Sequence, residues 1–477
     1  MFAGCIAALL GSYWDVAWHT ERGRDSFAIP PHLLLYAGVT FAGGAVGWWA
    51  LVTFLRTRSV RATLHHRPLA LAIVGDGLTL ASAPIDYLWH DAFGRDAVLW
   101  SPPHMLGIVG LFALAAGVLL ETSRETGRLG RAFAVVAGAL VIAVLLAPVQ
   151  EYESDVPQFG AVWYLPVAAG GAALAFALIQ AVAPGPGTLT AAAAVYTVLR
   201  GVVVGFLAAV GFTPPFLPPL LAPALVVDWG ARAGWPVPAR ALAFAVSLYA
   251  AYVPALAWTF GGLTLGAAAI AVGLPLAAAL AWLAFASLTV EAPRPRALAA
   301  ALVLAGLVLP IAGSGHDPGQ GEEVGQARLL AVQSGFATRV VGETLDPALC
   351  PRIRPIRLVA RRSGVTMTAP LQAAGRCGFA GTVGLPERGR WFVYAELQVE
   401  GEGGVEAWLP VDAGPADARF QKLAPLYRPP SARGSRVEIV AGVVLYAVNL
   451  GIFALTVVTF RRFRSAARYE PGESADT

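Results

Sequence analysis

Long apolar stretches dominate this chain and limit what it can fold into. An apolar run of roughly 18 or more residues is long enough to cross a bilayer as one helix. The chain has 477 residues, of which 57% are apolar and only 13% are charged, whereas a soluble domain usually has about 25% charged residues. The composition therefore excludes a single water-soluble domain, a disordered chain and a nucleic-acid binder. It predicts an all-α polytopic membrane protein.

About twelve apolar segments meet the length expected of a transmembrane helix. They lie near residues 2–18, 31–55, 68–90, 103–121, 132–149, 160–183, 189–211, 215–229, 238–258, 262–288, 297–313 and 437–460. The first and the eighth are short for a membrane crossing.

The placement of arginine predicts which helix ends face the cytoplasm. Arginines crowd the segments after the second, fourth, tenth and last spans, and twelve crossings would put all four clusters on one side. Short loops rich in Arg and Lys stay in the cytoplasm. We therefore expect a multi-pass protein of the cell's inner (plasma) membrane with both termini in the cytoplasm. On the opposite side lies an acidic loop whose Glu151, Glu153 and Asp155 are expected to be solvated. Arg200 lies inside the seventh span, and we expect it either to pair with another polar group or to extend to the membrane interface.

One long polar segment, 314–436, interrupts the apolar pattern before the last span, and the parity of the spans places it outside the cytoplasm. It contains short β-type runs at 356–360, 389–399 and 405–410, which predict a small extracytoplasmic β-sandwich domain. Cys350 and Cys377 both lie in this segment, in an oxidising compartment that permits a disulfide. Their spacing alone leaves the pairing open.

These features divide the chain into five parts. The predicted parts are duplicated metal-motif hairpins at 1–122, further transmembrane helices at 123–313, the extracytoplasmic β domain at 314–436, a C-terminal transmembrane helix at 437–460 and a cytoplasmic tail at 461–477.

Two segments near the N-terminus repeat each other. The first runs from Asp15 to His32 and the second from Asp86 to His104. Nine residue identities recur in the same order (Asp, Trp, His, Gly, Arg, Asp, Pro, Pro, His), with one residue inserted before the second Pro-Pro-His. Nine matches of mostly rare residue types would seldom arise by chance. Each copy consists of the end of one span, a tight outer loop and the start of the next span.

The spacing within each copy predicts that three polar side chains meet. Asp and His four residues apart share one face of a helix. The Pro-Pro pair suits the first turn of the following helix, where a missing N–H costs little, and it places the second His on that turn. Two antiparallel helices would then bring one carboxylate and two imidazoles together at the outer edge of the membrane. The candidate metal ligands are Asp15, His19, His32, Asp86, His90 and His104.

Two imidazoles and one carboxylate suit a divalent transition metal, but they do not choose among copper, zinc and non-haem iron. Ionisable residues at this membrane depth are costly and usually functional. In the loops, Arg24 and Arg95 are candidates to pair with Asp25 and Asp96 or to orient a ligand, although a simple turn with an ion pair is the more economical interpretation. For the triads, the structural alternative is that Asp and His only hydrogen-bond and lock a duplicated hairpin.

The two motifs resemble the copper motifs in the C-type subunit of the copper membrane monooxygenases, the particulate methane and ammonia monooxygenases. The shared pattern is Asp-x3-His-x12-His, with thirteen intervening residues in the second copy, a Trp before the first His, Arg-Asp in the loop and Pro shortly before the second His. The resemblance covers roughly residues 1–120 and implies copper at one or both sites, together with O2 activation. This chain departs from the family at Asp86, where Asn is expected.

Two functions from different classes follow from these observations. The first is a copper-dependent membrane monooxygenase, or a subunit of one, that hydroxylates a small apolar substrate. The alternative is a non-catalytic copper protein for uptake, storage or delivery. The expected partners are membrane lipid and either other membrane subunits or further copies of the chain, with no nucleic acid. No catalytic residue is assigned by the sequence.

Overall fold

The computed structural model describes residues 1–22, 28–93, 99–125, 127–154, 160, 163–182, 185, 187–258, 267–289, 322–428 and 436–469. Its helices are α1 (Phe2–Glu21), α2 (Pro30–Thr57), α3 (Val60–His65), α4 (Arg67–Phe93), α5 (Pro102–Thr122), α6 (Arg128–Leu145), α7 (Gln150–Glu153), α8 (Tyr164–Val182), α9 (Thr188–Ala209), α10 (Leu221–Arg232), α11 (Val237–Trp258), α12 (Ala267–Thr289) and α13 (Arg436–Tyr469). A 3-10 turn, Ala147–Val149, joins α6 to α7.

Nine helices within these ranges are long and apolar enough to cross a membrane. Two of the predicted spans do not qualify. Helix α1 carries Asp15, His19 and Glu21 among its apolar residues, and α10 has only 12 residues, which is about 18 Å against an apolar thickness of ~30 Å. The predicted span 297–313 lies outside the described residues. The chain thus has a membrane part of many helices, but the described residues do not provide all twelve crossings.

Paired glycines let α1 pack closely on α2 and α4 pack closely on α5. A Cβ atom on Gly4 would lie 2.5 Å from the backbone oxygen of Gly38, and a Cβ atom on Gly75 would lie 2.5 Å from that of Gly110. Small residues at such crossings allow two helix backbones to approach. Gly75 follows Gly4 by the same offset that separates Asp86 from Asp15, and Gly110 follows Gly38 by the offset that separates the second histidines. The duplication therefore covers whole hairpins as well as the polar motif.

The polar segment forms eight antiparallel strands that close into a barrel in the order β1-β2-β5-β4-β3-β6-β7-β8. The strands are β1 (Glu322–Ser334), β2 (Ala337–Thr344), β3 (Ile353–Arg362), β4 (Val365–Ala373), β5 (Gly378–Gly384), β6 (Gly389–Val399), β7 (Gly403–Ala413) and β8 (Ala418–Arg428). The predicted run 389–399 coincides with β6, and the other two runs lie within β3 and β7.

The prediction of a β-sandwich is wrong, because the sheet closes on itself. The 13-residue strand β1 pairs with β2 along one side and with β8 along the other, so the sheet has no free edge there. Alternation of apolar and polar residues is common to sandwiches and barrels, and it does not reveal which strands pair at the ends.

Apolar side chains fill the inside of the barrel, as alternation along the strands requires. Trp391, Leu329 and Phe379 are among the fully buried residues of this core. A disulfide joins Cys350 to Cys377, whose Cα atoms lie 4.8 Å apart. It ties the short turn before β3 to the segment before β5 and supplies the pairing that the spacing left open.

Candidate metal centres

The second motif brings its three predicted ligands together. Asp86 and His90 lie one turn apart near the end of α4, and His104 lies on the first turn of α5 after Pro102 and Pro103. The two oxygens of Asp86 each face one imidazole: Oδ2 is 3.2 Å from Nε2 of His90, and Oδ1 is 3.2 Å from Nε2 of His104. One donor atom from each residue lies within 4.8 Å of the other two.

The first motif has the same arrangement with a looser set of distances. Asp15 Oδ1 is 3.1 Å from Nε2 of His32 on the first turn of α2 and 3.6 Å from Nδ1 of His19 on α1. The imidazole rings of the two histidines are 6.2 Å apart, close to the 6.1 Å between those of the second motif. Across the described residues, however, only the second motif holds three donor atoms within 4.8 Å of one another.

A backbone contact also holds the ring of His19 in the first motif. His19 Nδ1 lies 2.9 Å from the backbone oxygen of Asp15. A ring nitrogen that donates to a carbonyl carries the proton, so in the neutral imidazole the other nitrogen has the lone pair. A metal at the first site would therefore bind His19 through Nε2, with Nδ1 fixing the ring on its own helix.

Each of the two contacts of Asp86 has the length expected between neighbouring ligands of a small divalent metal. Imidazole nitrogens and carboxylate oxygens bind such an ion at about 2.0–2.2 Å, which puts two ligands of a tetrahedral ion roughly 3.3 Å apart. The contacts of Asp86 are 3.2 Å long. The same distance also suits a direct N–H···O hydrogen bond, so geometry fits both the metal-site interpretation and the locked-hairpin alternative.

The four loop residues expected to support the ligands, Arg24, Asp25, Arg95 and Asp96, lie outside the described residues. Their predicted pairing or orienting role therefore stays a prediction.

Other parts of the chain hold the second hairpin in place. The backbone N–H of Leu99 donates to the carboxylate of Glu151, and the indole N–H of Trp100 donates to the oxygen of Pro148 at 3.2 Å. From α13, the hydroxyl of Tyr446 donates to the oxygen of Trp100, and Asn449 Nδ2 donates to that of Pro102 at 3.3 Å. The helix that begins with Pro102 and carries His104 is thus fixed from two sides.

The expectation that the acidic loop is solvated is wrong for both described glutamates. Glu151 is 1% exposed, because it accepts the hydrogen bond from the loop of the second hairpin. Glu153 pairs with Arg200 of α9, whose Nη2 lies 2.7 Å from Glu153 Oε2, and both side chains are almost fully buried. The guanidinium also donates to the oxygen of Phe216 and lies over the ring of Tyr13. Asp155 lies outside the described ranges.

Sequence reasoning also overlooked a buried carboxylate in the membrane part. Asp76 on α4 is 7% exposed and lies against Gly43 of α2, whose missing side chain leaves room for it. An Asp in an otherwise apolar span is itself a signal of function, and it was available in the sequence.

A polar cavity of about 40 Å³ lies between the end of α1, α7 and the barrel. Tyr13, Glu21, Gln150, Glu153 and Arg390 are among its lining residues. Its volume has room for only a few water molecules, so it is too small for an organic substrate.

Comparison with known proteins finds no relative: no protein-family model, no curated protein and no solved structure matches this chain. The resemblance to the copper membrane monooxygenases therefore rests on the two motifs alone.

Proposed function

We propose that this chain is an integral membrane protein that binds copper at two Asp–His–His sites. The observation that carries the proposal is the convergence of Asp86, His90 and His104, with donor atoms from all three within 4.8 Å of one another. The first motif repeats the arrangement around Asp15. The donor set also suits zinc and iron, and copper is chosen because the motifs resemble those of the C-type monooxygenase subunit.

The ends of the helices support a common orientation for the two sites. Helix α2 begins near His32 and ends near Arg56, whereas α4 begins at Arg67 and ends just after His90. In both helices, the triad lies at the end opposite the arginines. The barrel contacts the end of α1 that carries the first triad. By the charge rule, the triads and the barrel face the extracytoplasmic side of the inner membrane and both termini are cytoplasmic. Of the twelve proposed crossings, the polar-ended helix α1, the short helix α10 and the segment 297–313 would supply the last three.

We further propose that the protein takes part in hydroxylating a small apolar substrate that arrives through the bilayer. Bound copper would supply the site at which O2 is bound and reduced. The overall change consumes O2, two electrons and two protons for each substrate, gives the alcohol and water, and needs an external two-electron reductant. The imidazoles and carboxylates of the triads would hold the metal, and other membrane subunits or further copies of this chain are the proposed partners.

Metal analysis of the purified full-length protein tests the binding proposal. We expect about two copper ions per chain, with the loss of about one in Asp15→Ala and one in Asp86→Ala. His65→Ala is the matched control, because this exposed histidine lies in neither triad, and it should keep the full complement. Unchanged metal content in both aspartate variants would contradict the proposal and favour the locked hairpin.

Turnover assays separate the enzyme from the non-catalytic alternative. Copper binding with no O2-dependent oxidation of any small apolar substrate, in the presence of a reductant, would indicate uptake, storage or delivery. Full turnover in a variant that lacks His19, His32, His90 and His104 would refute the catalytic proposal. A reporter enzyme that works only in the cytoplasm, fused after residue 477, tests the orientation. We expect it to be active, because the proposed orientation places this end of the chain in the cytoplasm.

A further inference from the structure

A three-way contact joins the end of α1 to the barrel. Glu21, the last residue of α1, accepts two hydrogen bonds on Oε1, one from Nη1 of Arg390 at 3.1 Å and one from the backbone N–H of Thr213 at 2.8 Å. Arg390 lies on β6, and Thr213 lies in the segment between α9 and α10. Arg390 also donates to the hydroxyl of Thr213, so each of the three residues contacts the other two.

The barrel holds Arg390 firmly in this position. Its Nε atom lies 3.1 Å from Oδ1 of Asp412 on the neighbouring strand β7, and its side chain is only 12% exposed. Burial alone would lower the pKa of Arg390, but the nearby carboxylates of Asp412 and Glu21 outweigh it and raise the pKa above the ordinary value. The guanidinium is therefore charged at every accessible pH, and its largely buried ion pair with Glu21 is less screened by salt than a surface pair.

The contact belongs to the first hairpin only. The offset that relates Asp15 to Asp86 places Ala92 where the first copy has Glu21, so the second copy lacks the carboxylate. Its hairpin is held instead by Tyr446 and Asn449 of α13. The two triads are thus alike in their ligands but are supported by different parts of the chain.

We propose that Arg390 is a positioning residue for the first triad, through which the barrel sets the metal affinity of that site. Glu21 follows His19 by two residues on the same helix, so a fixed Glu21 fixes the end of α1 that carries Asp15 and His19 relative to His32 on α2. The inference rests on the proposed metal binding. Loss of a group that hydrogen-bonds a metal ligand directly typically costs 10–100-fold in affinity, and Arg390 acts one contact further out, through Glu21, so we expect the lower end of that range.

Titration of the full-length protein with Cu²⁺ in two backgrounds tests the inference. Asp86→Ala leaves only the first site, and Asp15→Ala leaves only the second. Arg390→Ala should weaken Cu²⁺ binding about tenfold in the first background and leave it unchanged in the second. Arg357→Ala is the matched control, because this exposed barrel arginine pairs with Glu396 at 2.6 Å on its own sheet, and it should change neither site.

Two additional measurements separate positioning from a general loss of structure. Glu21→Gln should weaken the first site to a similar extent, and the double variant with Arg390→Ala should be no weaker than either single variant, because both remove one contact. The electron paramagnetic resonance spectrum of Cu²⁺ at the first site should also change, which a loss of folded protein alone would not cause. Should Arg390→Ala prevent folding, Glu21→Gln carries the test alone.

The possible failures are distinguishable. If Arg390→Ala and Glu21→Gln leave the first site unchanged, or weaken both sites equally, the inference is overturned while metal binding stands. If neither background binds Cu²⁺ before Arg390 is changed, the proposed function fails and the inference fails with it.

Discussion

Gly75 of α4 lies so close to Gly110 of α5 that a Cβ atom on Gly75 would be 2.5 Å from the backbone oxygen of Gly110. This contact is about three helical turns away from Asp86 along α4, yet it sets the separation of the two helices that carry the second triad. The contact between Gly4 and Gly38 does the same for the first triad. Each candidate metal site therefore depends on a close helix crossing within the membrane part.

The first prediction concerns this crossing. Gly75→Ala should force α4 and α5 apart, lower the thermal stability of the protein and reduce metal binding at the second triad only. An overpacked core position typically costs about 1–3 kcal/mol. Gly77→Ala is the control on the same helix, because a Cβ there has nothing within 4 Å, and it should be neutral or slightly stabilising. Equal behaviour of the two variants in thermal unfolding and metal analysis would contradict the prediction.

The second prediction concerns the order in which the sites fill. The second triad already holds three donor atoms within 4.8 Å, whereas the first has a 3.6 Å contact through the nitrogen that also faces a backbone oxygen. Less rearrangement is needed at the second site, so it should bind copper more tightly. Titrated separately with Cu²⁺, Asp15→Ala, which keeps only the second site, should therefore have a lower Kd than Asp86→Ala, which keeps only the first. A lower Kd in Asp86→Ala would show that preformed geometry does not set affinity here.

The third prediction concerns the buried pair of Arg200 and Glu153. Removal of one partner leaves an uncompensated charge inside the bundle, so Glu153→Gln should lower the free energy of unfolding by about 3–5 kcal/mol. Replacement of both partners in the double variant Arg200→Met, Glu153→Met should recover most of this loss, because it removes both charges. Unfolding in mixed micelles at increasing denaturing detergent measures both effects. A double variant at least as unstable as Glu153→Gln would contradict the prediction and show that other contacts of these side chains, such as that of Arg200 with Phe216, set the stability.

The local part of the candidate sites was predictable from the sequence. A spacing of four residues places Asp86 and His90 on one helix face, and the Pro-Pro pair begins the next helix just before His104. Both features act over a few residues and over one short loop, and the structure brings the six predicted ligands into two groups. Their role as metal ligands stays a prediction.

The long-range part was not predictable in the same way. Arg390 and Glu21 are 369 residues apart in the chain, and nothing in either local sequence indicates that they meet. The burial of Glu151 and Glu153 was missed for the same reason, since an acidic stretch at a helix end resembles a solvated loop until its partners are known. The closure of the barrel depends on the pairing of its first strand with its last, which alternation along each strand does not encode.

The last prediction concerns the support of the second hairpin by α13. Asn449 is buried and donates to the oxygen of Pro102, at the start of the helix that carries His104. Asn449→Leu removes this hydrogen bond while keeping a side chain of similar size, so the first turn of α5 should lose its fixed position. We expect Cu²⁺ binding at the second triad to weaken about tenfold in the Asp15→Ala background and to stay unchanged in the Asp86→Ala background. Leu450→Ala, at the neighbouring exposed position of α13, is the control, and a similar loss in that variant would assign the effect to the helix as a whole instead of to the hydrogen bond.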